Sequence, residues 1–276
     1  MSTHCPNFLD ARYGTLRDYM TAAQVAPRNR ANAELTGTWD RGEAPLEAHW
    51  SGAANTADAV AAMTSYYEAG DAIIKRVEKA ALNITLPPKM DTRRRRVRGD
   101  QGDELDIHAV WRGQSDTAWS RMGKRQVTAP PMVSIVINSI IQYEQDKDVI
   151  SYRGAVGVVL CQLLERFGYR VRLIVARGGE AFTSGGPDEK FSCRVIVKDY
   201  GKPLDRETVA CATHPAMQRV IGVRWTWAHK HKRGTIGGSG VGEAIREKGE
   251  VLISSEVSDE RTAIAKIQAV IKALTK

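Results

Sequence analysis

The sequence lacks the features that mark membrane-spanning, exported and zinc-binding proteins. No apolar run reaches about 18 residues, the length at which a helix becomes able to cross a bilayer. The first residues, MSTHCPNFLDARYG, lack the charged-then-apolar pattern of a secretion signal. The four cysteines form neither a CxxC pair nor a Cys/His cluster. We therefore expect a cytoplasmic protein with free, buried thiols, no membrane contact and no bound metal.

Catalytic and nucleotide-binding motifs are also missing. The sequence contains neither the GxSxG motif of serine hydrolases nor the GxxxxGK[ST] loop that cradles phosphates. Residues 237–242 (GGSGVG) are rich in glycine, but no convincing strand precedes them, so we interpret them as a flexible loop. Cys211 and His214 are close in sequence without an evident third catalytic group. These absences predict a protein that is not an enzyme and that binds no cofactor.

Positive charge is concentrated in two runs of a chain whose net charge is +8. The first run, residues 93–98, reads RRRRVR, and the second, residues 224–233, reads RWTWAHKHKR. Such runs indicate binding to nucleic acid or to another anionic partner. The candidate binding residues are Arg93, Arg94, Arg95, Arg96, Arg98, Lys230, Lys232 and Arg233. Carboxylates between residues 100 and 106 follow the first run directly, which favours pairing within the protein or between subunits instead.

Periodicity and proline content divide the chain into three segments. These are an irregular arm over residues 1–54, a helical extension over residues 55–126 and an α/β domain over residues 127–276. Within the arm we expect a short helix near residues 16–24. Such an arm must dock on a partner subunit or on the protein's own surface to become ordered.

The extension is expected to contain three helical segments. Its longest helix falls within residues 55–82, and residues 104–112 and 116–122 are two short helical candidates. Trp111 and Trp119 lie in these short segments, and we expect both to pack on the core of the following domain, because large aromatic side chains usually anchor a core.

Residues 127–276 alternate buried strands with helices. They predict strands at 132–138, 170–176, 191–198 and 251–254, and helices near 152–167, 206–212, 215–228 and 259–274. A helix links the first two strands, which makes them parallel, whereas a link without a helix makes the third strand an antiparallel hairpin partner at the sheet edge. The predicted fold class is therefore α/β, with a mostly parallel Rossmann-like sheet, one antiparallel edge strand and helices on both faces.

Local residues of this domain resemble the von Willebrand factor A domain, which is a Rossmann-like fold. The resemblance covers residues 127–276 and is carried by MVSIVIN, by Arg153–Gly154–Ala155 opening a helix, and by LLERFGYRVRLIVA. Similar runs occur in A-like domains of chelatase subunits and of Ro-type RNA-binding proteins. The segment RRRRVRGDQGDELDIHAVWRGQSDTAW resembles proteins of actinobacterial phages that carry a degenerate A-like domain. This resemblance implies a fold and a viral context, with a place in the host cytoplasm or the virion.

Intact A domains, by this resemblance, bind Mg²⁺ through an Asp-x-Ser-x-Ser motif after the first strand. The matching positions here are Asn138, Ile140 and Gln142, so a neutral amide replaces the carboxylate and both serine hydroxyls are lost. A shift of one residue would place Ser139 in the motif and would still supply no acid. Because Mg²⁺ needs hard oxygen ligands, we interpret Asn138, Ser139 and Gln142 as a degenerate metal site that binds no metal.

These observations lead to a functional hypothesis and two alternatives. We expect a non-enzymatic protein-interaction or assembly module, in which the A-like domain is a rigid platform and the N-terminal segments contact partners or sister subunits. A phage structural or virion-associated role would suit such a module. The first alternative is a nucleic-acid-binding protein that uses residues 93–98 and 224–233. The second is a residual metal-dependent adhesion or chelatase-like subunit.

Overall fold

The computed structural model describes residues 8–25, 54, 58, 61, 67–82, 84, 96–122, 130–141, 145–181, 189–222, 225 and 244–274. The chain divides into two compact units. The main unit consists of residues 1–86 and 132–276, and the second unit, which we call the insert, consists of residues 87–131. This division differs from the three expected segments, because the N-terminal arm and the long helix after it belong to the same unit as the α/β domain.

A mixed five-stranded sheet forms the centre of the main unit. Its strands are β1 (Phe8–Tyr13), β5 (Met132–Asn138), β6 (Arg170–Ala181), β7 (Glu189–Lys198) and β8 (Val251–Ile253), in the order β1-β7-β6-β5-β8. β5 is parallel to both β6 and β8, and β1 is parallel to β7. Only the pair β6–β7 is antiparallel among these described strands. The sheet is flanked by helices, so the expected Rossmann-like α/β class is confirmed.

The helix that links β5 to β6 is almost entirely buried. This helix, α4 (Val149–Arg166), lies close to the sheet because Gly157 faces β5, and a Cβ there would be 2.7 Å from Ile137 Cδ1. Two further helices, α2 (Glu68–Ala81) and α6 (Glu260–Leu274), pack on the side of α4 that faces away from the sheet. A helix covered on both sides needs apolar residues around its whole circumference, which explains the sequence AVGVVLCQLL.

The N-terminal arm is more regular than we expected. The predicted short helix is confirmed as α1 (Leu16–Val25), but Phe8–Tyr13 forms β1 rather than an irregular segment. β1 adds to the sheet beside β7, and α1 packs on Phe191, Val195 and Trp225. The arm therefore docks on the protein's own surface, which was one of the two expected possibilities.

The position of the antiparallel strand corrects the predicted topology. β7 is antiparallel to β6, as expected from a link without a helix, but it is not at the edge of the sheet. β1 occupies that edge, because its backbone pairs with β7 from Phe8↔Lys190 to Tyr13↔Val195. The prediction placed β7 at the edge because it treated the first 54 residues as outside the sheet.

The two faces of the sheet have different neighbours in the described part of the chain. The described helices of the main unit pack on the face that carries Ile135, Val175 and Val195. The opposite face carries Val136, Ile174 and Ala176, and Ala244 packs against it. The extended segment 244–250 crosses that second face and brings acidic side chains to it.

The insert contains a small antiparallel sheet of three strands. Its strands are β2 (Arg96–Gly99), β3 (Glu104–Leu105) and β4 (Trp119–Met122), in the order β2-β4-β3. Helix α3 (Ile107–Trp111) and a single 3-10 turn at Ser115–Thr117 lie between β3 and β4. Residues 119–122 are therefore a strand, and the predicted helix at 116–122 is wrong, because pairing with two neighbouring strands outweighs the local preference of these residues.

Candidate ligand crevice at the carboxyl ends of the strands

The place where such a sheet binds ligands follows from its topology. From β5 the chain passes to β6 on one side and returns later to β8 on the other side. In open α/β sheets, ligands bind outside the carboxyl ends of the strands where the strand order reverses in this way. The crevice between the loops that follow β5 and β8 is therefore the candidate functional site.

Two of the predicted metal positions line this crevice, and their polar atoms bond the protein itself. Asn138 and Ser139 are both buried. Asn138 Oδ1 accepts a hydrogen bond from Ile140 N at 3.2 Å. Ser139 donates from its main-chain N at 2.9 Å and from Oγ at 3.0 Å, in both cases to Ala176 O in the middle of β6. Gln142 lies outside the described residues.

A buried arginine spans the crevice. Arg153 lies in the first turns of α4 and its side chain is fully enclosed. Its Nη1 donates to Asn138 O at 3.1 Å and to Ile140 O at 2.5 Å. On the other side, Nε donates to Val257 O at 3.2 Å and Nη2 to Ser255 O at 3.5 Å. One guanidinium group therefore connects the loop after β5 to the loop after β8.

This arrangement does not fit the magnesium site that the resemblance implies. A magnesium site needs carboxylate or hydroxyl oxygens in octahedral array, but the groups that converge here are carbonyl oxygens already bonded to Arg153. The guanidinium also brings a permanent positive charge, which repels a second cation. Within the described residues, no group of three His, Cys, Asp or Glu side chains could hold a metal ion.

Two carboxylates near the start of α4 lie beside the crevice. Asp146 is exposed, and its Oδ1 accepts a hydrogen bond from Asp148 N at 2.8 Å. Asp148 precedes the first residue of α4, and its Oδ1 is buried without a hydrogen-bond partner in the structure. Of the two, only Asp146 is therefore a solvated loop charge. The positive end of the helix dipole stabilises a carboxylate at the position of Asp148.

Cys211 and His214 do not form a nucleophile and base. Burial raises the pKa of the Cys211 thiol to about 11, so the thiol is protonated at neutral pH. Burial, together with the nearby charge of Lys147, lowers the pKa of His214 to about 4. The neutral imidazole already accepts a hydrogen bond at Nδ1 from Ala216 N, at 3.0 Å, and its ring packs edge-on against Tyr67.

The described part of the first basic run is paired with the carboxylates that follow it. Arg96 forms an ion pair with Glu104 at 2.5 Å, and Arg98 contacts Asp106 at 3.6 Å. Both arginines are exposed, and exposed ion pairs contribute little stability, but each carboxylate lowers the positive potential of the surface. Six of the candidate residues, Arg93, Arg94, Arg95, Lys230, Lys232 and Arg233, lie outside the described residues.

Sequence reasoning missed the contacts of two of the buried arginines. Arg153 was recognised only as part of a helix start, although a charged residue inside an otherwise apolar helix must find polar partners when it is buried. Arg194, on the second face of the sheet, is nearly enclosed and pairs with Glu250. It lines a groove of about 440 Å³ together with Arg12 and Arg172. No local pattern pointed to this groove, because its carboxylates come from a segment about 50 residues further along the chain.

The fold and the crevice define an α/β protein of Rossmann-like class whose candidate ligand crevice is spanned by its own guanidinium group. A comparison with protein families identifies the chain further. The model of the family described as "Domain of unknown function (DUF7192)" matches residues 4–276, so the chain belongs to this family. Neither the curated proteins nor the solved structures contain a match to it. Among the described residues, no helix is both long and apolar enough to cross a membrane.

Proposed function

We propose that this protein is a non-enzymatic interaction or assembly module built on a degenerate A-like domain. The observation that carries the proposal is the position of Arg153, whose guanidinium fills the crevice where a Rossmann-like sheet would otherwise bind its ligand. The carbonyl oxygens that bond Arg153 are not available to a substrate or a metal ion. What remains available for function is the surface of the scaffold.

The energetics of the crevice support a structural role for Arg153. Burying an isolated charge costs several kcal/mol, and hydrogen bonds to the charged group recover part of that cost. Four bonds to carbonyl oxygens serve this purpose, and they hold two loops that have no regular structure. The result is a rigid end of the sheet, which suits a platform for binding other macromolecules.

Self-association is the direct test of the assembly part of this proposal. Size-exclusion chromatography with light scattering, at several protein concentrations, should give a mass that is a multiple of the chain mass. A monomer at every concentration that also binds no macromolecular partner would contradict the proposal. The resemblance to phage proteins adds an expectation about the genes that flank this one, which should encode capsid or tail components.

Calorimetry with Mg²⁺ and Mn²⁺ tests the absence of metal chemistry. We expect no heat of binding for the natural protein. The variant Asn138→Asp supplies the missing carboxylate, and we expect no heat for it either, because Arg153 still occupies the carbonyl oxygens of the crevice. Saturable heat with the natural protein that disappears in Asn138→Ala would overturn the proposal in favour of a metal-dependent module.

Nucleic-acid binding remains the alternative prediction, and no described contact favours it. Arg96 and Arg98 are paired with carboxylates, which agrees with the expectation of internal neutralisation. Binding through released counterions would fall steeply with salt. A short single-stranded or double-stranded probe that binds at low salt and dissociates as salt is raised would support the alternative over the assembly module.

A further inference from the structure

Strand β1 forms one edge of the five-stranded sheet. Its residues, Phe8–Tyr13, pair in unbroken register with β7, and no described strand lies on its other side. An edge strand presents a row of main-chain N–H and C=O groups with which another extended chain can pair. At the opposite edge, β8 has only three residues. β1 therefore offers the longer template for a further strand.

β1 lacks the features that usually protect an edge strand from such pairing. Proteins block exposed edges with proline, with β-bulges, with lysines or with very short strands. The sequence of β1, FLDARY, contains neither proline nor lysine, and its register with β7 shows no bulge. Its two charged residues, Asp10 and Arg12, have opposite signs, so the strand does not repel a second strand through charges of a single sign.

Both charged side chains of β1 lie on one face of the strand. Side chains alternate between the faces of a strand, and Ala11 and Tyr13 pack against the apolar cluster on the helix side. Asp10 and Arg12 are on the other face, where Arg12 Nε donates to Asp10 Oδ2 at 3.0 Å. Arg12 Nη2 also donates to Glu247 Oε1 at 2.8 Å. The side chain of Arg12 is 62% exposed and that of Asp10 is 32% exposed, so a neighbouring strand can reach both.

Two-fold symmetry limits the ways in which two copies of β1 can pair. An axis perpendicular to the sheet makes the two strands antiparallel, and one residue then lies opposite its own copy, because directly opposite side chains share a face. An axis beside Asp10 or beside Arg12 puts like charges opposite each other, which is destabilising. An axis beside Ala11 puts Asp10 of each copy opposite Arg12 of the other copy. No other axis position within the strand brings opposite charges together.

We propose that two copies of the chain pair their β1 strands antiparallel about a two-fold axis beside Ala11, so that the two sheets become one continuous sheet. This inference rests on the proposed assembly function and names its surface and its partner, which is a second copy of the chain. In added strands, main-chain hydrogen bonds supply most of the affinity, and here the charges select the register. Arg12 can keep its bond to Glu247 and also bond Asp10 of the other copy, because a guanidinium group has five N–H donors.

A pair of charge variants of the full-length chain tests this register. Asp10→Lys places a lysine opposite Arg12 of the other copy, and Arg12→Asp places an aspartate opposite Asp10. By light scattering and sedimentation, we expect the natural protein to be a dimer and each variant alone to dissociate with a Kd raised at least about tenfold. An equimolar mixture of the two variants should restore the dimer, because every cation of β1 then lies opposite a carboxylate.

Two variants of the insert are matched controls. Asp116→Lys and Arg112→Asp make the same changes of charge at exposed residues that are not part of β1. Each should dimerise as the natural protein does, and their mixture should show no gain over either variant alone. Circular dichroism of all four variants checks that they fold.

Hydrogen exchange of the natural protein gives a second test that needs no variant. This test matters because Arg12→Asp also removes the bond to Glu247 within one copy. We expect the amides of residues 9–13 to exchange more slowly as the protein concentration is raised through the Kd of the dimer. The amides of α6 should show no dependence on concentration and serve as the internal reference.

Three outcomes would overturn this inference. The first is a natural protein that is monomeric at every concentration; if another protein then slowed exchange in residues 9–13, the edge would belong to that partner and the interaction function would stand. The second is an oligomer with one Kd in the natural protein and in both β1 variants, which would keep the assembly function and assign the contact to another surface. The third is a mixture of the two folded β1 variants that stays monomeric, which would exclude pairing about Ala11.

Discussion

Arg153 and Asn138 are joined through the main chain: Arg153 Nη1 lies 3.1 Å from Asn138 O, while the Asn138 side chain holds the following turn through Ile140 N. The residue at the position of the missing metal ligand is thus tied to a cation that belongs to the protein. This relationship makes the crevice a structural element, and its loss should be measurable as stability.

Arg153→Ala should lower the free energy of unfolding by about 3 kcal/mol or more, because it leaves several buried carbonyl oxygens without donors. Urea unfolding followed by circular dichroism measures this change. Guanidinium chloride at low millimolar concentration should partly restore the melting temperature of the variant, since the free ion can enter the space of the missing side chain. Arg112→Ala, at an exposed site, is the control and should change stability by less than about 0.5 kcal/mol. A natural-like stability of Arg153→Ala would contradict the structural role.

Gly154→Ala should destabilise the main unit by roughly 1–3 kcal/mol, because a Cβ at this position would lie 2.4 Å from Thr213 Oγ1. Thr213 is buried and its hydroxyl donates to Val209 O, so it has little freedom to move. Gly201→Ala is the matched control: nothing lies within 4 Å of its Cβ position. Thermal unfolding of both variants should separate them clearly. Equal melting temperatures would mean that α4 and α5 (Arg206–Ala212) are not in the close contact described.

Tyr13→Phe should weaken the docking of the N-terminal arm by about 1–2 kcal/mol. The indole Nε1 of Trp225 donates to the Tyr13 hydroxyl at 2.8 Å, and Trp225 is fully buried, so the variant leaves a buried donor without this acceptor. Hydrogen exchange should show faster exchange in residues 8–25 and in the paired strand β7. Tyr169→Phe, whose ring packs at the margin of the other core, should leave exchange in residues 8–25 unchanged.

Stability should fall as the pH is lowered through the range of His214. The pKa of His214 is about 4 in the folded protein and about 6.5 in an unfolded chain. Between these two pH values the unfolded chain binds a proton at this residue and the folded protein does not. The stability associated with neutral His214 is therefore fully present above about pH 6.5 and declines as the pH falls toward 4. Urea midpoints at pH 7.5, 6 and 5 measure this slope.

His214→Asn should flatten that slope, because the amide oxygen can accept the bond from Ala216 N without titrating. His108→Asn, at an exposed site of the insert, should keep the slope of the natural protein. If both variants and the natural protein share one slope, His214 is not the group responsible.

The elements that sequence reasoning placed correctly are those whose signal is local. β5 was predicted at its observed bounds, because a run of β-branched residues has few alternatives. The last helix was also confirmed, since it shows a helical period over more than two turns, and the short helix of the arm lies where it was predicted. The absence of a helix between β6 and β7 correctly predicted their antiparallel pairing.

The elements that were missed depend on partners far away in the sequence. β1 alternates apolar and charged residues, but its only described strand partner begins at residue 189. The guanidinium group of Arg153 finds its hydrogen-bond acceptors only because the loops after β5 and β8 meet around it. The expectation that Trp111 packs on the core is wrong, because its side chain is 82% exposed. Tryptophan side chains usually pack in a core, and the sequence alone does not distinguish such a residue from an exposed one.

The pairing of β1 with β7 has a consequence for synthesis of the chain. Phe8–Tyr13 leaves the ribosome well before β7, the strand with which it pairs, because β7 ends at Lys198. At ordinary elongation rates this delay is on the order of 10–40 s. During that interval β1 lacks β7, its partner among the described strands, so a chaperone that binds extended segments could bind β1 before β7 is available.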